Sequence, residues 1–299
     1  MNPGVLAGIG SAAIWAVAST MMASSSSRVD ALSISAVRGA WGALLLLATV
    51  PFLLASGEFS GMDAGIVAAL IGSAIVGFVF GDTLYIASLA ALGLARAFTV
   101  SLGLFVLLTY ILAVLVLDEE VTASAAAGSG LILVGVYLVA LLGRRGAADE
   151  ERAVRGWRQL APGLGLVAIT ALLWAVATVW LTDAAEGQGA IAVGAVRLPA
   201  AAGVLMIAAS VAPRTSLRRR AISRWDHGAL LFAGLIGTGL GSLLFIYAVQ
   251  EAGAGRAAVA TAVSPLFAVP LGAIFLGERM SPWVLVGAVV AAAGIILIS

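Results

Sequence analysis

The chain has 299 residues, of which 62% are hydrophobic and only 10% are charged. A soluble domain must cover its surface with polar groups, so this composition excludes an ordinary soluble protein and indicates a polytopic membrane protein. A net charge of +1 without a basic, aromatic surface argues against nucleic-acid binding. Since the chain has no cysteine and one histidine, His227, we expect no metal, no cofactor and no enzymatic activity.

Ten apolar segments are each close to the roughly 20 residues that a helix needs to cross a bilayer. Short breaks with turn or charged residues separate them, as at 56–58, 118–120 and 277–279. We therefore predict an all-α polytopic membrane protein with ten transmembrane helices. The predicted spans are residues 4–24, 32–55, 64–88, 95–117, 122–142, 160–182, 189–211, 227–250, 255–276 and 281–298.

The first span is predicted to be a retained helix and not a cleaved signal peptide. Residues 1–4 carry no positive charge, as a signal peptide would require. The apolar run at 5–23 also has a counterpart inside the chain, at 165–181. That counterpart indicates that the run is part of the folded protein.

The sequence repeats itself with a shift of 159 to 160 residues. Alanine matches carry little weight in so alanine-rich a chain, but tryptophan, arginine, proline and glutamate are rare here and also match. We predict a first repeat over 1–142, a polar linker over 143–158 and a second repeat over 159–299. The informative pairs are Pro3 with Pro162, Trp15 with Trp174, Arg38 with Arg197, Asp82 with Ser242, Tyr85 with Phe245, Gly93 with Gly253, Arg96 with Arg256, and Glu119 with Glu278.

Five spans in each repeat have a topological consequence. Because five is odd, the second repeat enters the bilayer from the side opposite to the first. We therefore predict two inverted five-helix repeats, related by a pseudo-two-fold axis in the membrane plane. Such an architecture is typical of carriers that work by alternating access.

The arginines predict an orientation. All 16 basic residues are arginine, and 13 of them lie in the connections after spans 1, 3, 5, 7 and 9. Connections on the other side contain only Arg256, while Arg38 and Arg197 lie within spans. The positive-inside rule then places the loops at 143–158 and 212–224 in the cytoplasm and both termini outside.

Several motifs resemble the drug/metabolite transporter superfamily, and specifically its ten-helix EamA-type transporters with two tandem EamA repeats. They are a tryptophan in the first helix of each half (Trp15, Trp174), Ala-Val-Arg in the second (Arg38, Arg197), Gly-Asp-Thr-Leu-Tyr at 81–85 and the closing run at 264–278. The resemblance covers nearly the whole chain. One departure is Leu104-Phe105, where the second half has Ser264-Pro265.

The resemblance implies a secondary-active transporter of small molecules, acting as a monomer in the lipid bilayer of a prokaryotic plasma (inner) membrane. It also implies a central cavity lined by helices 1 to 4 and 6 to 9, with helices 5 and 10 at the periphery. Export of an amino acid, a related metabolite or a drug-like molecule, coupled to protons, is the first expectation for its function.

Asp82 is the principal candidate for substrate binding and for proton coupling. It is the acidic residue that lies well inside a predicted span, where a carboxylate usually faces a cavity or a proton path. Desolvation is expected to favour its neutral form. Phe78 and Tyr85 share its helical face and would suit a cationic or aromatic substrate. The alternative is an Asp near a helix end that is solvated or paired with Arg96.

Trp15 and Trp174 lie in the middle of their helices, away from the bilayer edge where aromatic belts form. Ser19 shares a face with the first tryptophan, and Thr178 shares one with the second. We predict that these faces form a cavity wall, with interhelical packing as the alternative.

Arg38 and Arg197 are equivalent charges inside the second helix of each half. Our preferred interpretation is that they extend to an interface or cap a neighbouring helix, and the alternative is that they bind an anionic group of the substrate. We also predict substrate contacts at Ser242, Phe245 and Pro265. Ser242 and Phe245 are the counterparts of Asp82 and Tyr85, while Pro265 frees backbone carbonyls in the ninth span.

Two other functions stay open at this point. An exchanger or importer of an anionic metabolite is favoured if both Arg38 and Arg197 point into the cavity. A lipid scramblase or an intramembrane enzyme belongs to a different class, and a polar groove open to lipid would favour the scramblase.

Overall fold

The computed structural model describes residues 3–116, 150–261, 263–277 and 282–298, with isolated positions 123–124, 127–128, 130–131, 134–135 and 138 between them. Within these residues the secondary structure is helical. The first half contains α1 (Pro3–Ser25), α2 (Ala31–Leu47), α3 (Val50–Ser56), α4 (Ala64–Ala74), the π-helical segment π1 (Ile75–Gly81), α5 (Asp82–Leu92) and α6 (Leu94–Val116). The second contains α7 (Glu150–Ala184), α8 (Ala190–Val211), α9 (Arg224–Phe232), π2 (Ala233–Gly241), α10 (Ser242–Ala252), α11 (Ala254–Thr261), α12 (Ser264–Leu276) and α13 (Pro282–Ile298).

Eight continuous helical stretches are long and apolar enough to cross a membrane, and α13 is a further apolar helix. They coincide with nine of the ten predicted spans, while only isolated positions of the fifth, at 122–142, are among the described residues. The prediction of an all-α polytopic protein is confirmed. Large apolar side chains such as Phe52, Ile207 and Ile274 remain exposed on the outside, as a lipid-facing surface requires.

Two segments have local structure that the sequence did not predict. The second span, Ala31–Ser56, contains a turn at residues 48–49, between the end of α2 at Leu47 and the start of α3 at Val50. The predicted linker at 143–158 is helical from Glu150 onward, where it forms the first turns of α7. Polarity suggested a loop there, although a polar segment can continue a helix outside the hydrocarbon.

The two halves use equivalent local signals to begin and join their helices. The Asp63 side chain accepts a hydrogen bond from the Ile66 N–H at the start of α4, and Ser223 caps α9 in the same way. A single glycine joins α5 to α6 and α10 to α11. Gly93 has φ 77° and Gly253 has φ 84°, a conformation that a side chain disfavours. These one-residue turns hold consecutive spans close together.

Packing between the halves follows the same symmetry. Helix α1 packs against π2, α10, α11 and α12, while its counterpart α7 packs against π1, α4, α5 and α6. Helices α2 and α8, which are equivalent, pack against each other. Each first helix therefore inserts into the other half, and the centre of the molecule is built from both repeats.

The π-helical segments occupy equivalent places in the third and eighth spans. A π-helix shifts the backbone hydrogen-bond register and leaves carbonyls available to other donors. The Ser11 hydroxyl donates to the Gly241 carbonyl at 2.9 Å, and the equivalent Thr170 hydroxyl donates to the Gly81 carbonyl at 3.3 Å. Each first helix is thus fastened to the distorted part of a helix in the opposite half.

Polar contacts also join the loops that follow the first and seventh spans. Arg28 pairs with Asp226 at 2.5 Å, and Asp30 caps α2 by accepting from the Ser33 N–H at 2.9 Å. The Asp30 carboxylate also accepts from the Ser216 N–H at 2.6 Å. Burial alone would raise the pKa of Asp30, but the hydrogen bonds from Ser216 and Ser33 outweigh it and hold this pKa below its usual value.

Close packing of α1 on α11 can be tested at Gly8. A Cβ at this position would lie 2.5 Å from the Ala260 Cβ, which cannot move without moving its helix. We expect Gly8→Ala to lower stability by about 1–3 kcal/mol through overpacking. The matched control is Gly203→Ala, since a Cβ there meets nothing within 4 Å.

Thermal unfolding of the detergent-solubilised protein measures both variants. The control gains the same helix propensity without the clash, so it should unfold at or slightly above the wild-type temperature. Equal unfolding temperatures for the two variants would contradict this packing.

Candidate functional site

A central cavity lies where the two halves meet. The space unoccupied by atoms is about 870 Å³, a figure that includes the open, solvent-facing part of the cavity. Eleven of the twelve predicted site residues line it. They are Trp15, Ser19, Arg38, Phe78, Asp82, Tyr85, Trp174, Thr178, Arg197, Ser242 and Phe245.

Pro265 is the exception: it is buried at the start of α12 and does not line the cavity. No described residue of the ninth span does so, contrary to the arrangement expected from helices 1 to 4 and 6 to 9. The fourth span contributes Phe98 and Phe105, whose counterparts are Ala258 and Pro265. Since the fourth span carries the longer side chains, it reaches the cavity where the ninth does not.

Asp82 forms the centre of a polar network. Its carboxylate accepts a short hydrogen bond from the Arg38 guanidinium and one of 2.7 Å from the Trp174 indole N–H. Arg38 also donates to the Thr238 hydroxyl at 2.7 Å. Asp82 and Arg38 belong to the first half, while Trp174 and Thr238 belong to the second, so the network joins both repeats.

These contacts correct two expectations from the sequence. The partner of Asp82 is Arg38 and not Arg96, and each of its carboxylate oxygens accepts a hydrogen bond. Asp82 is therefore a paired acid within the described structure, hydrogen-bonded on both oxygens. Arg38 does not reach an interface, because it is only 6% exposed and lies within this network.

The tryptophans are equivalent in position but differ in their hydrogen bonds. Trp174 donates to Asp82, whereas Trp15 donates to the Gly237 carbonyl at 3.2 Å. The residue equivalent to Asp82 is Ser242, whose buried hydroxyl oxygen has no hydrogen-bond partner among the described residues. A symmetric scaffold therefore carries an acid on one side of the cavity and a short neutral side chain on the other.

Arg197 has no acidic partner in the described part of the chain. It is 5% exposed, lines the cavity and lies over the Phe78 ring at 5.5 Å. Its Nε is buried without a hydrogen-bond partner among the described residues. The preferred sequence interpretation, in which this arginine extends to an interface, was wrong because the side chain points into the protein.

Aromatic rings form a continuous wall of the cavity. Their successive centroids lie 5.2 to 6.4 Å apart, the usual range for interacting rings. The wall contains Trp15, Phe245, Phe105, Trp174, Tyr85 and Phe98. The cavity thus combines an apolar wall with a small group of charged and hydroxyl side chains.

The sequence analysis missed several lining residues, of which Thr238 matters most for the network. Thr238 is the counterpart of Phe78, and this correspondence could have identified it. Phe98 lies in the fourth span, where an aromatic residue does not stand out from its apolar neighbours. The described residues contain no group of three or more histidine, cysteine, aspartate or glutamate side chains that could hold a metal ion.

Comparison with known proteins gives one matching family model, one protein of similar sequence and one solved structure of similar fold. A family model described as the EamA-like transporter family matches residues 2–141 and again residues 161–299. An uncharacterized transporter from Archaeoglobus fulgidus is 28% identical over 239 residues, which are 79% of this chain and 78% of that protein. A solved crystal structure matches with a TM-score of 0.70, at 17% identity over 99% of this chain and 98% of the other, which shows a shared fold.

The Arg38–Asp82 pair can be tested with a double-mutant cycle. Removing one partner of a buried ion pair leaves an uncompensated charge and commonly costs about 3–5 kcal/mol. We expect Asp82→Asn and Arg38→Gln each to lower the unfolding temperature clearly. The double variant should lose less stability than the sum of the two, because it leaves no unpaired charge.

Unfolding of the purified protein in detergent measures this cycle. The exposed Arg256, for which no ion pair is found in the described chain, serves as a control when changed to Gln. Additive losses for the two single variants would show that the pair is not coupled.

Proposed function

Since the chain belongs to the EamA-like transporter family, we propose that this membrane transporter is a secondary-active carrier that works by alternating access through the central cavity. The observation that carries the proposal is that equivalent helices of both repeats surround one site. Two related halves can exchange packing around a fixed site, which would expose it to each side in turn.

The alternating step would involve the first helices and the π-helical segments. Helix α1 packs against π2, and α7 packs against π1, so each half holds the other through an equivalent contact. Glycine at 81 and at 241 allows Trp174 and Trp15 to approach these segments closely. If the contact of α1 with π2 loosens while that of α7 with π1 is kept, or the reverse, the cavity would open on one side.

We further propose that Asp82 couples transport to protons and that the carrier exports its substrate. Asp82 connects the halves through Arg38 and Trp174, so its protonation would release a contact between repeats. Protonation is therefore linked to the same interface that alternating access must rearrange. The substrate would be an amino acid, a related metabolite or a drug-like molecule, bound by the side chains that line the cavity.

Transport in proteoliposomes tests this coupling. We expect flux of a substrate identified from a metabolite panel to depend on an imposed pH gradient, and Asp82→Asn to abolish that dependence. The flux driven by the pH gradient should be at least about tenfold lower in Asp82→Asn than in the wild type. A tenfold change corresponds to roughly 1.4 kcal/mol.

Counterflow, which requires binding and exchange but no gradient, is the control for folding of Asp82→Asn. Driven flux that responds to neither the gradient nor the substitution would end the proton-coupling proposal. Arg256→Gln should behave as the wild type in both assays.

The second candidate is an exchanger or importer of an anionic metabolite. It is favoured by a specific observation, since both arginines line the cavity. Between carriers and scramblases, the central position of the site among helices of both halves favours a carrier, because a scramblase needs a polar groove along the lipid.

We propose that the carrier lies in a prokaryotic plasma membrane with both termini outside, as the distribution of arginines favours. A fluorescent or enzymatic reporter that is active only in the cytoplasm tests the orientation. Fused after Ser299 it should be inactive, whereas the same reporter inserted in the loop at 212–223 should be active. The reverse pattern would overturn the orientation and leave the cavity unaffected.

A further inference from the structure

We propose that Arg197 binds the anionic group of the substrate, and that the substrate is a small organic monoanion, such as a carboxylate, with an apolar or aromatic body. This inference rests on the proposed carrier function, and it names the chemistry that the site recognises. It starts from a charge that the described residues leave uncompensated.

A buried arginine needs a partner, because a charge removed from water loses hydration that only an opposite charge or hydrogen-bond acceptors can replace. Arg38 has both, in Asp82 and Thr238. Arg197, which is as deeply buried, makes no ion pair in the described structure, and its guanidinium lies over the face of the Phe78 ring. A cation–π contact covers one face of the guanidinium and leaves its N–H edge able to donate.

The repeat shows which acceptor is absent. In the first half, Asp82 neutralises Arg38, and both residues line the cavity. The second half has Arg197 in the place of Arg38 and Ser242 in the place of Asp82. A buried hydroxyl at this position supplies no negative charge, so a ligand is required to supply one.

The charges of the described cavity lining define the ligand further. Arg38 and Arg197 contribute two positive charges and Asp82 one negative charge, which leaves a net charge of +1. A monoanion would neutralise the site, whereas a cation would add to its excess charge. The planar guanidinium matches a carboxylate, which it can bind through two parallel hydrogen bonds.

The rest of the cavity suits an apolar body. The aromatic wall connects Trp15 and Phe245 on one side with Trp174 and Tyr85 on the other through Phe105. Offset or edge contacts with such rings favour a flat or aromatic group over a hydrated one. With its anionic group at Arg197 and its aromatic group at this wall, the ligand would bind in a single orientation.

Binding to the purified full-length protein in nanodiscs tests the proposal, with three probes that differ in their terminal group. They are 3-phenylpropionate, its neutral amide and the cationic 3-phenylpropylamine. We expect the carboxylate to bind at least about tenfold more tightly than either of the others, as measured by calorimetry and by quenching of tryptophan fluorescence. That preference corresponds to about 1.4 kcal/mol.

Two substitutions then separate the role of Arg197 from a structural one. Arg197→Gln should remove the preference for the carboxylate over the amide. Ser242→Asp should also remove it, because it provides the arginine with an internal counterion, and this variant keeps the arginine and should fold. Arg256→Gln, at an exposed position, should retain the wild-type preference.

The proposal is overturned if the wild type binds the amine or amide as tightly as the carboxylate, if it binds none of the three, or if Ser242→Asp retains the preference. If the wild-type protein lacks the preference for the carboxylate but transports neutral or cationic compounds, the proposed carrier function is retained and the proposed specificity is refuted. Selective binding of the carboxylate without flux or counterflow of any compound would support the site and refute the carrier.

Discussion

The buried ion pair between Arg38 and Asp82 is the interaction on which the cavity depends. Charges inside a membrane protein are tolerated when they are paired and hydrogen-bonded, and here the remaining donors and acceptors come from the opposite half. Thr238 accepts from the arginine, and the Trp174 indole donates to the carboxylate. The pair therefore holds the repeats together at the point where a substrate would bind.

Symmetry explains the scaffold, and departures from symmetry explain the site. Equivalent hydroxyls bind the carbonyls of Gly81 and Gly241, and equivalent glycines turn the chain between consecutive spans. Asp82 and Ser242, by contrast, occupy equivalent positions but differ in charge: the aspartate pairs with an arginine, and the serine supplies no counterion. One arginine is neutralised by a carboxylate, and the other has no carboxylate partner among the described residues.

Much of this site could be predicted from the sequence because membrane burial makes polar residues informative. Trp15, Arg38 and Asp82 are conspicuous within apolar helices, and their counterparts were found by the repeat shift. Pro265 was included because a proline frees backbone carbonyls, but it does not line the cavity, since a proline in a helix need not face a ligand. Phe98 was missed because an aromatic residue in an apolar span carries no distinguishing signal.

The sequence by itself determined the helical class, the approximate spans, the duplication and most residues of the cavity, because hydrophobic length and repeated rare residues are local properties. The sequence did not determine which side chains form ion pairs or hydrogen bonds with one another. Only the tertiary structure decided that Arg38 pairs with Asp82, that π-helical segments receive the first helix of the opposite half, and that Arg197 is buried without a carboxylate among the described residues. These features depend on how helices distant in the chain are placed beside one another, which no local pattern encodes.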